Sequence, residues 1–183
     1  MKAAFLFPGI GYTFDRPLLY YGRKIAAECG YEEIVPVPYS WTGGNLRGNP
    51  EKMREAFDAI FAQTEQLLKD VDFTAYSQVA FISKSVGTAA AAAYAEKHGL
   101  KVTHILYTPL EETFLFHPEN GLAFIGTKDP WSDSDRIVQL CLQAGLTVRG
   151  IEDGNHSLET GNALVDIGTL MEVMKETKRA LRR

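Results

Sequence analysis

Short apolar runs alternate with longer amphipathic segments along almost the whole chain, and this alternation most strongly constrains the fold. The short runs are rich in β-branched and aromatic residues and end at turn-forming residues, as strands do. Six strands are predicted, at Ala3–Phe7, Ile34–Val37, Val79–Ile82, Val102–Tyr107, Leu122–Ile125 and Thr147–Ile151. Strands that alternate with helices favour a parallel sheet covered on both faces. We therefore expect an α/β three-layer sandwich with a mostly parallel six-stranded sheet, as one domain over residues 1–183.

Capping residues mark the predicted helix starts. Asp15 and Asn49 are the expected caps of the first two helices, because each shortly precedes a proline, which suits a first helical turn. A third helix is expected over Val86–Lys97, and a fourth from about Asp133 to Ala144. The last is expected to begin near Gly161 and to carry one apolar face, made of Leu164, Ile167, Met171 and Met174.

Composition and charge exclude several classes of protein. A chain of 183 residues, 45% of them hydrophobic, can bury a core without disulfides or metal. Its net charge of −4 disfavours nucleic acid as a partner. Only Cys29 and Cys141 are present, which predicts reduced thiols and a cytoplasmic protein. Pro8 interrupts the apolar N-terminal run, and no stretch approaches the roughly 18 apolar residues of a membrane span, so neither a signal peptide nor a membrane partner is expected.

The segment Ser83-Lys84-Ser85-Val86-Gly87 joins the third predicted strand directly to an alanine-rich helix. A serine on such a sharp turn projects its hydroxyl above the sheet, and small residues two positions away let the strand and helix pass closely, as in the G-x-S-x-G nucleophile elbow. Ser83 stands where that motif has its first glycine. The spacing therefore indicates Ser85 as a candidate nucleophile.

A serine nucleophile needs a base and an acid that orients the base, and the sequence offers both in later strand-end loops. Asp129 follows the fifth predicted strand, and His156 follows the sixth. Because the carboxyl ends of parallel strands share one edge of the sheet, these loops can converge on Ser85. Asp153, Asp133 and Asp135 remain as rival acids.

With these three loops the chain resembles the α/β-hydrolase family, and in particular its small, cap-less, dienelactone-hydrolase-like branch. The resemblance follows the order of elements over nearly the whole length and implies Ser85 as nucleophile, His156 as base and then acid, and Asp129 as orienting carboxylate. It also implies an oxyanion hole made by the backbone N–H of Val86 and one from the loop after the first strand, assigned to Ile10. No cofactor or metal is implied.

Side chains in the strand-end loops predict the rim of a substrate site. Its expected members are Tyr12, Trp41, Glu111, His117 and Trp131. Such an aromatic rim suits a small apolar acyl or aryl group. The predicted function is hydrolysis of a small-molecule carboxylic ester or thioester through an acyl-enzyme, by a monomer or homodimer.

Two alternatives stay open at this point. One is a non-catalytic ligand-binding protein with the α/β-hydrolase fold, since a fold does not determine a function. The other is a flavodoxin-like nucleotide-binding module. For the second, Gly9-Ile10-Gly11 is a poor dinucleotide motif, because Phe14 stands at the position of the third glycine.

Overall fold

A computed structural model describes residues 1–44 and 46–182 of the chain. It contains one six-stranded sheet in the order β2-β1-β3-β4-β5-β6, in which every neighbouring pair is parallel. The strands are β1 (Lys2–Phe7), β2 (Glu33–Pro36), β3 (Gln78–Lys84), β4 (Thr103–Tyr107), β5 (Gly121–Gly126) and β6 (Thr147–Ile151). The helices are α1 (Pro17–Glu28), α2 (Pro50–Leu68), α3 (Val86–Lys97), α4 (Ser134–Gln143) and α5 (Ala163–Leu181).

The predicted α/β architecture and all six strands are confirmed, with ends shifted by one or two residues. Because β1 lies between β2 and β3, the direction in which strands are added reverses beside β1. In open α/β sheets such a reversal opens a crevice at the carboxyl ends of the strands. The loops after β1 and β3 border that crevice.

Helices cover both faces of the sheet, and strand side chains alternate between the two layers. Ile82 packs in the layer of α1 and α5, whereas Phe81 packs in the layer of α2 and α3. On the second face, Ile137 of α4 packs against Ile125 of β5. The central strands are therefore apolar on both sides, which explains their continuous apolar sequences.

Of the two predicted caps, Asn49 is confirmed and Asp15 is wrong, and Asp133, the predicted start of the fourth helix, is also its cap. The side chain of Asn49 accepts a hydrogen bond from Lys52 N, and that of Asp133 accepts from Asp135 N and Arg136 N. In α1, Arg16 occupies the capping position and no side chain caps the helix. Asp15 instead lies 3.8 Å from the Arg23 guanidinium, so its carboxylate pairs with a cation of the helix.

The expected apolar face of α5 is confirmed only at Met174, which is buried against the sheet and α1 together with Val173, Thr177 and Leu181. Leu164, Ile167 and Met171 are more than half exposed, so the buried side of the helix differs from the expected one and overlaps it at Met174. Periodicity alone could not distinguish the two sides, since each contains apolar residues at helical spacing.

Each edge strand has one outward polar group that is missing or occupied. Val37 N, just beyond β2, donates to Leu6 O of β1 at 2.9 Å. Because successive backbone N–H groups of a strand point to opposite sides, the N–H of residue 36 would point away from the sheet, but Pro36 has no N–H. On β6, Arg149 donates to Val148 O at 3.4 Å, and its guanidinium lies 3.5 Å from the Glu176 carboxylate.

No helix within residues 1–44 and 46–182 is both long enough and apolar enough to cross a bilayer.

Candidate active site

Ser85 lies on the turn that joins β3 to α3, with a backbone conformation of φ 56° and ψ −128°. Positive φ values are costly for residues with a side chain and persist only where the surroundings hold them. Ser85 N donates to Tyr107 O at 3.1 Å, and Ser85 O accepts from Thr88 N at 2.8 Å. The turn is therefore hydrogen-bonded on both sides, and Ser85 is directed into the crevice at the strand ends.

Small residues around Ser85 make this turn possible. A Cβ on Gly87 would lie 2.5 Å from Pro8 O and 2.6 Å from Phe7 O, so only glycine lets α3 start this close to the end of β1. The serine at position 83 costs little, because its hydroxyl donates to Ile105 O at 3.2 Å inside the sheet.

The loops after β5 and β6 are joined by backbone hydrogen bonds. Thr127 N donates to Ile151 O at 2.9 Å, and Lys128 N donates to Gly154 O at 2.9 Å. A Cβ on Gly126 would lie 2.1 Å from Gly154 O, so a glycine at that position lets the two loops touch. These contacts bring Asp129 and His156 to the same side of the crevice although they are 27 residues apart.

Ser85, His156 and Asp129 form a continuous chain of hydrogen bonds. His156 Nε2 lies 2.8 Å from Ser85 Oγ, and His156 Nδ1 lies 2.7 Å from Asp129 Oδ2 and 3.0 Å from Asp129 Oδ1. Since an ionised carboxylate only accepts hydrogen bonds, Nδ1 carries the proton and donates a hydrogen bond to Asp129. Nε2 is then left to accept the hydrogen bond of the Ser85 hydroxyl.

The surroundings of His156 disfavour its protonation and orient its ring. Burial lowers the pKa of His156; the hydrogen bond to Asp129 opposes this shift, and the positive charge of Lys84 adds to it. The ring of Trp131 stacks on the imidazole with centroids 5.4 Å apart. Asp129 has no exposed side-chain surface, and its Oδ1 also accepts from Trp131 N at 2.9 Å.

A cavity of about 370 Å³ opens directly onto Ser85 and His156. Ile10 and Val86, which the resemblance assigns to the oxyanion hole, both line it. Neither backbone N–H donates a hydrogen bond to any group within the described ranges, so both remain available to a ligand. Tyr12 and Trp131, predicted for the substrate rim, also line this cavity.

The other predicted rim residues do not line the cavity. Trp41 is folded back over Gly43 in the loop after β2, and its buried indole N–H has no partner in the described part of the chain. Glu111 faces Arg136 at 3.6 Å, and His117 pairs with Glu96 near the far end of α3 at 2.7 Å. These two fail because the connection after β4 runs along α3, away from Ser85.

Several residues of the cavity wall were not predicted for the site, and three of them come from different elements. Met53 reaches it from α2, Leu110 from the segment after β4, and Lys84 from the end of β3. The first two carry no sequence signal that separates them from ordinary core residues. Lys84 does, because it is a charged residue inside an otherwise apolar strand, directly before the candidate nucleophile.

A second cavity of about 320 Å³ adjoins the first, and we call this second cavity the side groove. Met53, Val86 and Leu110 belong to the walls of both spaces. Most of the remaining lining is apolar and includes Phe57, Ala89, Leu115 and Phe116. The groove therefore runs between α2 and α3, starting beside Ser85.

No group of three or more His, Cys, Asp or Glu side chains in residues 1–44 and 46–182 is arranged to hold a metal ion.

Comparisons with known proteins place the fold. No family model and no curated protein matches the sequence. Among solved structures, an α/β serine hydrolase homologue from Coxiella burnetii is 13% identical with a TM-score of 0.65, over 98% of this chain and 84% of the other. An α/β serine hydrolase without a lid from Xanthomonas campestris is 15% identical with a TM-score of 0.59, over 100% and 81%. An esterase from Pyrococcus furiosus is 10% identical with a TM-score of 0.61, over 97% and 83%.

These similarities establish that the chain has the α/β-hydrolase fold, and its structural neighbours are hydrolases and esterases. They support the predicted fold resemblance.

Proposed function

We propose that the protein is a serine hydrolase that cleaves a small carboxylic ester or thioester through an acyl-enzyme. The observation that carries this proposal is the hydrogen-bonded chain from Ser85 through His156 to Asp129, at the bottom of an open cavity. A serine hydroxyl is a weak nucleophile unless an adjacent base takes its proton, and this arrangement supplies the base and the group that orients it.

In the first half of the reaction, Ser85 Oγ attacks the acyl carbon while its proton passes to His156 Nε2. The imidazolium is stabilised by the buried Asp129 carboxylate, which accepts from Nδ1. His156 then gives its proton to the departing alkoxide or thiolate, and the acyl group stays on Ser85. In the second half, water attacks the acyl carbon while His156 Nε2 takes a proton from it. The bond between the acyl carbon and Ser85 Oγ then breaks, His156 returns the proton to Ser85 Oγ, and the acid is released.

The tetrahedral intermediate of each half carries a negative oxygen that needs fixed donors. The backbone N–H of Val86 follows the nucleophile directly, and Ile10, in the loop after β1, lines the same cavity. Gly9 packs against Ser85, because a Cβ there would lie 3.2 Å from Ser85 Cβ. This proximity supports the assignment of Ile10 as the second donor.

The side groove supports an apolar acyl group as the part of the substrate bound there. It begins at Val86, beside the atom to which the acyl group would be attached. Cavities of 370 Å³ and 320 Å³ fall at the lower end of ligand-pocket sizes, about 300–1,000 Å³, which suits a small molecule rather than a polymer. We therefore propose short to medium acyl esters and thioesters as substrates.

Labelling with a fluorophosphonate tests this function. Attack by Ser85 Oγ expels fluoride and forms a phosphonyl ester, which mass spectrometry of peptides can locate. We expect one adduct at Ser85 and none in Ser85→Ala, with much slower labelling in His156→Ala. A folded wild-type protein that does not label at Ser85 would contradict the proposal and favour a ligand-binding protein.

A further inference from the structure

Lys84 is a buried lysine without a polar partner. It is the last residue of β3, immediately before Ser85, and its exposed fraction is 1%. No other Lys or Arg within the described ranges is buried. Its Nζ makes no hydrogen bond and no ion pair with any residue in those ranges. An unpaired ammonium in such a place costs folding free energy, and an apolar side chain of equal length would fill the space without that cost.

The ammonium is held at the candidate active site rather than in the core behind it. Lys84 lines the same cavity as Ser85 and His156. Its Nζ lies 5.0 Å from the centre of the Tyr12 ring, a distance at which a cation is attracted to an aromatic face. Tyr12 is itself fixed, since its hydroxyl accepts from Leu18 N at 3.1 Å and its N–H donates to Gly9 O at 3.2 Å.

We propose that Lys84 is a positioning residue of the proposed hydrolase, whose buried ammonium, seated on the Tyr12 ring in the wall of the cavity that Ser85 and His156 share, acts through space on His156. This inference rests on the function proposed above, because it assigns a role in the same reaction. Lys84 touches neither Ser85 Oγ nor His156 through a hydrogen bond. Its effect is therefore electrostatic.

The neighbouring ionisable groups determine when this effect operates. Burial lowers the pKa of Lys84 to about 7, while the Asp129 carboxylate opposes that shift. Below this value Lys84 is charged and disfavours the imidazolium of His156, and above it Lys84 becomes neutral and the effect disappears. The tyrosines stay neutral throughout, since burial raises the pKa of Tyr12 to about 12 and that of Tyr107 further. The ionisable groups that face Lys84 are thus Asp129, His156, Tyr12 and Tyr107, the last of which is paired with Lys84 on the neighbouring strand β4. Glu159 and Arg16 act electrostatically on Tyr12.

The test compares the pH dependence of kcat/KM for a short-chain ester in the wild type and in Lys84→Met. Methionine has a similar length and no charge, so the strand and cavity wall keep their packing. Without the positive charge His156 is protonated more readily, and the acid limb of the profile moves to higher pH. We expect kcat/KM at about pH 5.5 to fall roughly three- to tenfold, with the two profiles converging at alkaline pH.

Lys128→Met is the matched control. It removes the same charge one residue from Asp129, but its side chain is 70% exposed and paired with Asp153. Because solvent screens an exposed charge, its profile should follow that of the wild type. An equal loss of activity at all pH values in Lys84→Met, or an unchanged acid limb, would overturn the proposal.

An NMR titration of the His156 ring, assigned with His156→Ala, gives a second measurement that does not need turnover. The titration midpoint of His156 should be higher in Lys84→Met than in the wild type and Lys128→Met. Wild-type protein that neither hydrolyses esters nor labels would contradict the proposed function, whereas an unmoved midpoint in Lys84→Met would contradict only the role of Lys84.

Discussion

Ser85 and His156 reach the same cavity, but the molecule holds them in different ways. At the Ser85 turn, α3 starts so close to β1 that only glycine fits at position 87, in addition to the hydrogen bonds of the turn. His156 and Asp129 are joined to each other by side-chain hydrogen bonds and lie in loops that are hydrogen-bonded to each other. We therefore expect added bulk at Gly87 to cost stability, and the loss of a single reacting or orienting group, at Ser85 or in the loops, to cost activity.

The largest effect on activity is expected for Ser85→Ala, which should lower kcat without changing the stability of the fold. Ser85→Ala removes the proposed nucleophile and should lower kcat by a factor on the order of 10⁶, or about 8 kcal/mol. Its unfolding midpoint in urea should stay close to that of the wild type, because within residues 1–44 and 46–182 the Ser85 hydroxyl makes a hydrogen bond only with His156. Ser83→Ala is the control: it loses the bond to Ile105 O and about 1 kcal/mol of stability, yet keeps most of its activity. Comparable turnover by Ser85→Ala would exclude the acyl-enzyme.

Asp129→Asn should have the next largest effect on kcat, and it tests the hydrogen bond between the two loops that carry Asp129 and His156. An asparagine would keep its Oδ1 on Trp131 N, so its NH₂ group would face His156 Nδ1. Nδ1 would then have to accept, which places the proton on Nε2, where it cannot take one from Ser85. We expect kcat to fall by about 10³ to 10⁴ with little change in the urea midpoint. Wild-type activity in steady-state ester assays would move the orienting acid elsewhere.

Gly87→Ala tests the steric half of the comparison. The new Cβ would meet two backbone oxygens that cannot move independently, and we expect a loss of roughly 2–4 kcal/mol in the free energy of unfolding. Gly168→Ala is the matched control, since a Cβ there meets nothing within 4 Å. That variant should be neutral or more stable by up to about 1 kcal/mol in urea unfolding. If both variants unfold at the same midpoint, steric contact does not hold the turn.

The smallest predicted effect concerns the side groove. Ala89→Leu adds bulk to its wall, which should hinder long acyl chains more than short ones. We expect the ratio of kcat/KM for octanoyl over acetyl esters to fall about tenfold. An unchanged ratio would show that the acyl chain lies elsewhere.

The sequence predicted the parts of this molecule that depend on local chemistry. The strands, the caps Asn49 and Asp133, and the turn around Ser85 follow from turn residues and periodicity within short windows. The errors concern tertiary placement. The packing of distant elements determines which side of α5 meets the sheet. It also determines whether Glu111 or His117 reaches Ser85, and a short stretch of sequence contains no information about such packing.

The edge strands have a consequence for how the chain behaves when it is concentrated. An open parallel sheet exposes two rows of peptide groups that can recruit a strand from another molecule and begin aggregation. Here Pro36 cannot donate at one edge, and Arg149 occupies a carbonyl and presents a charge at the other. At these two positions, pairing with a strand from another molecule is therefore disfavoured.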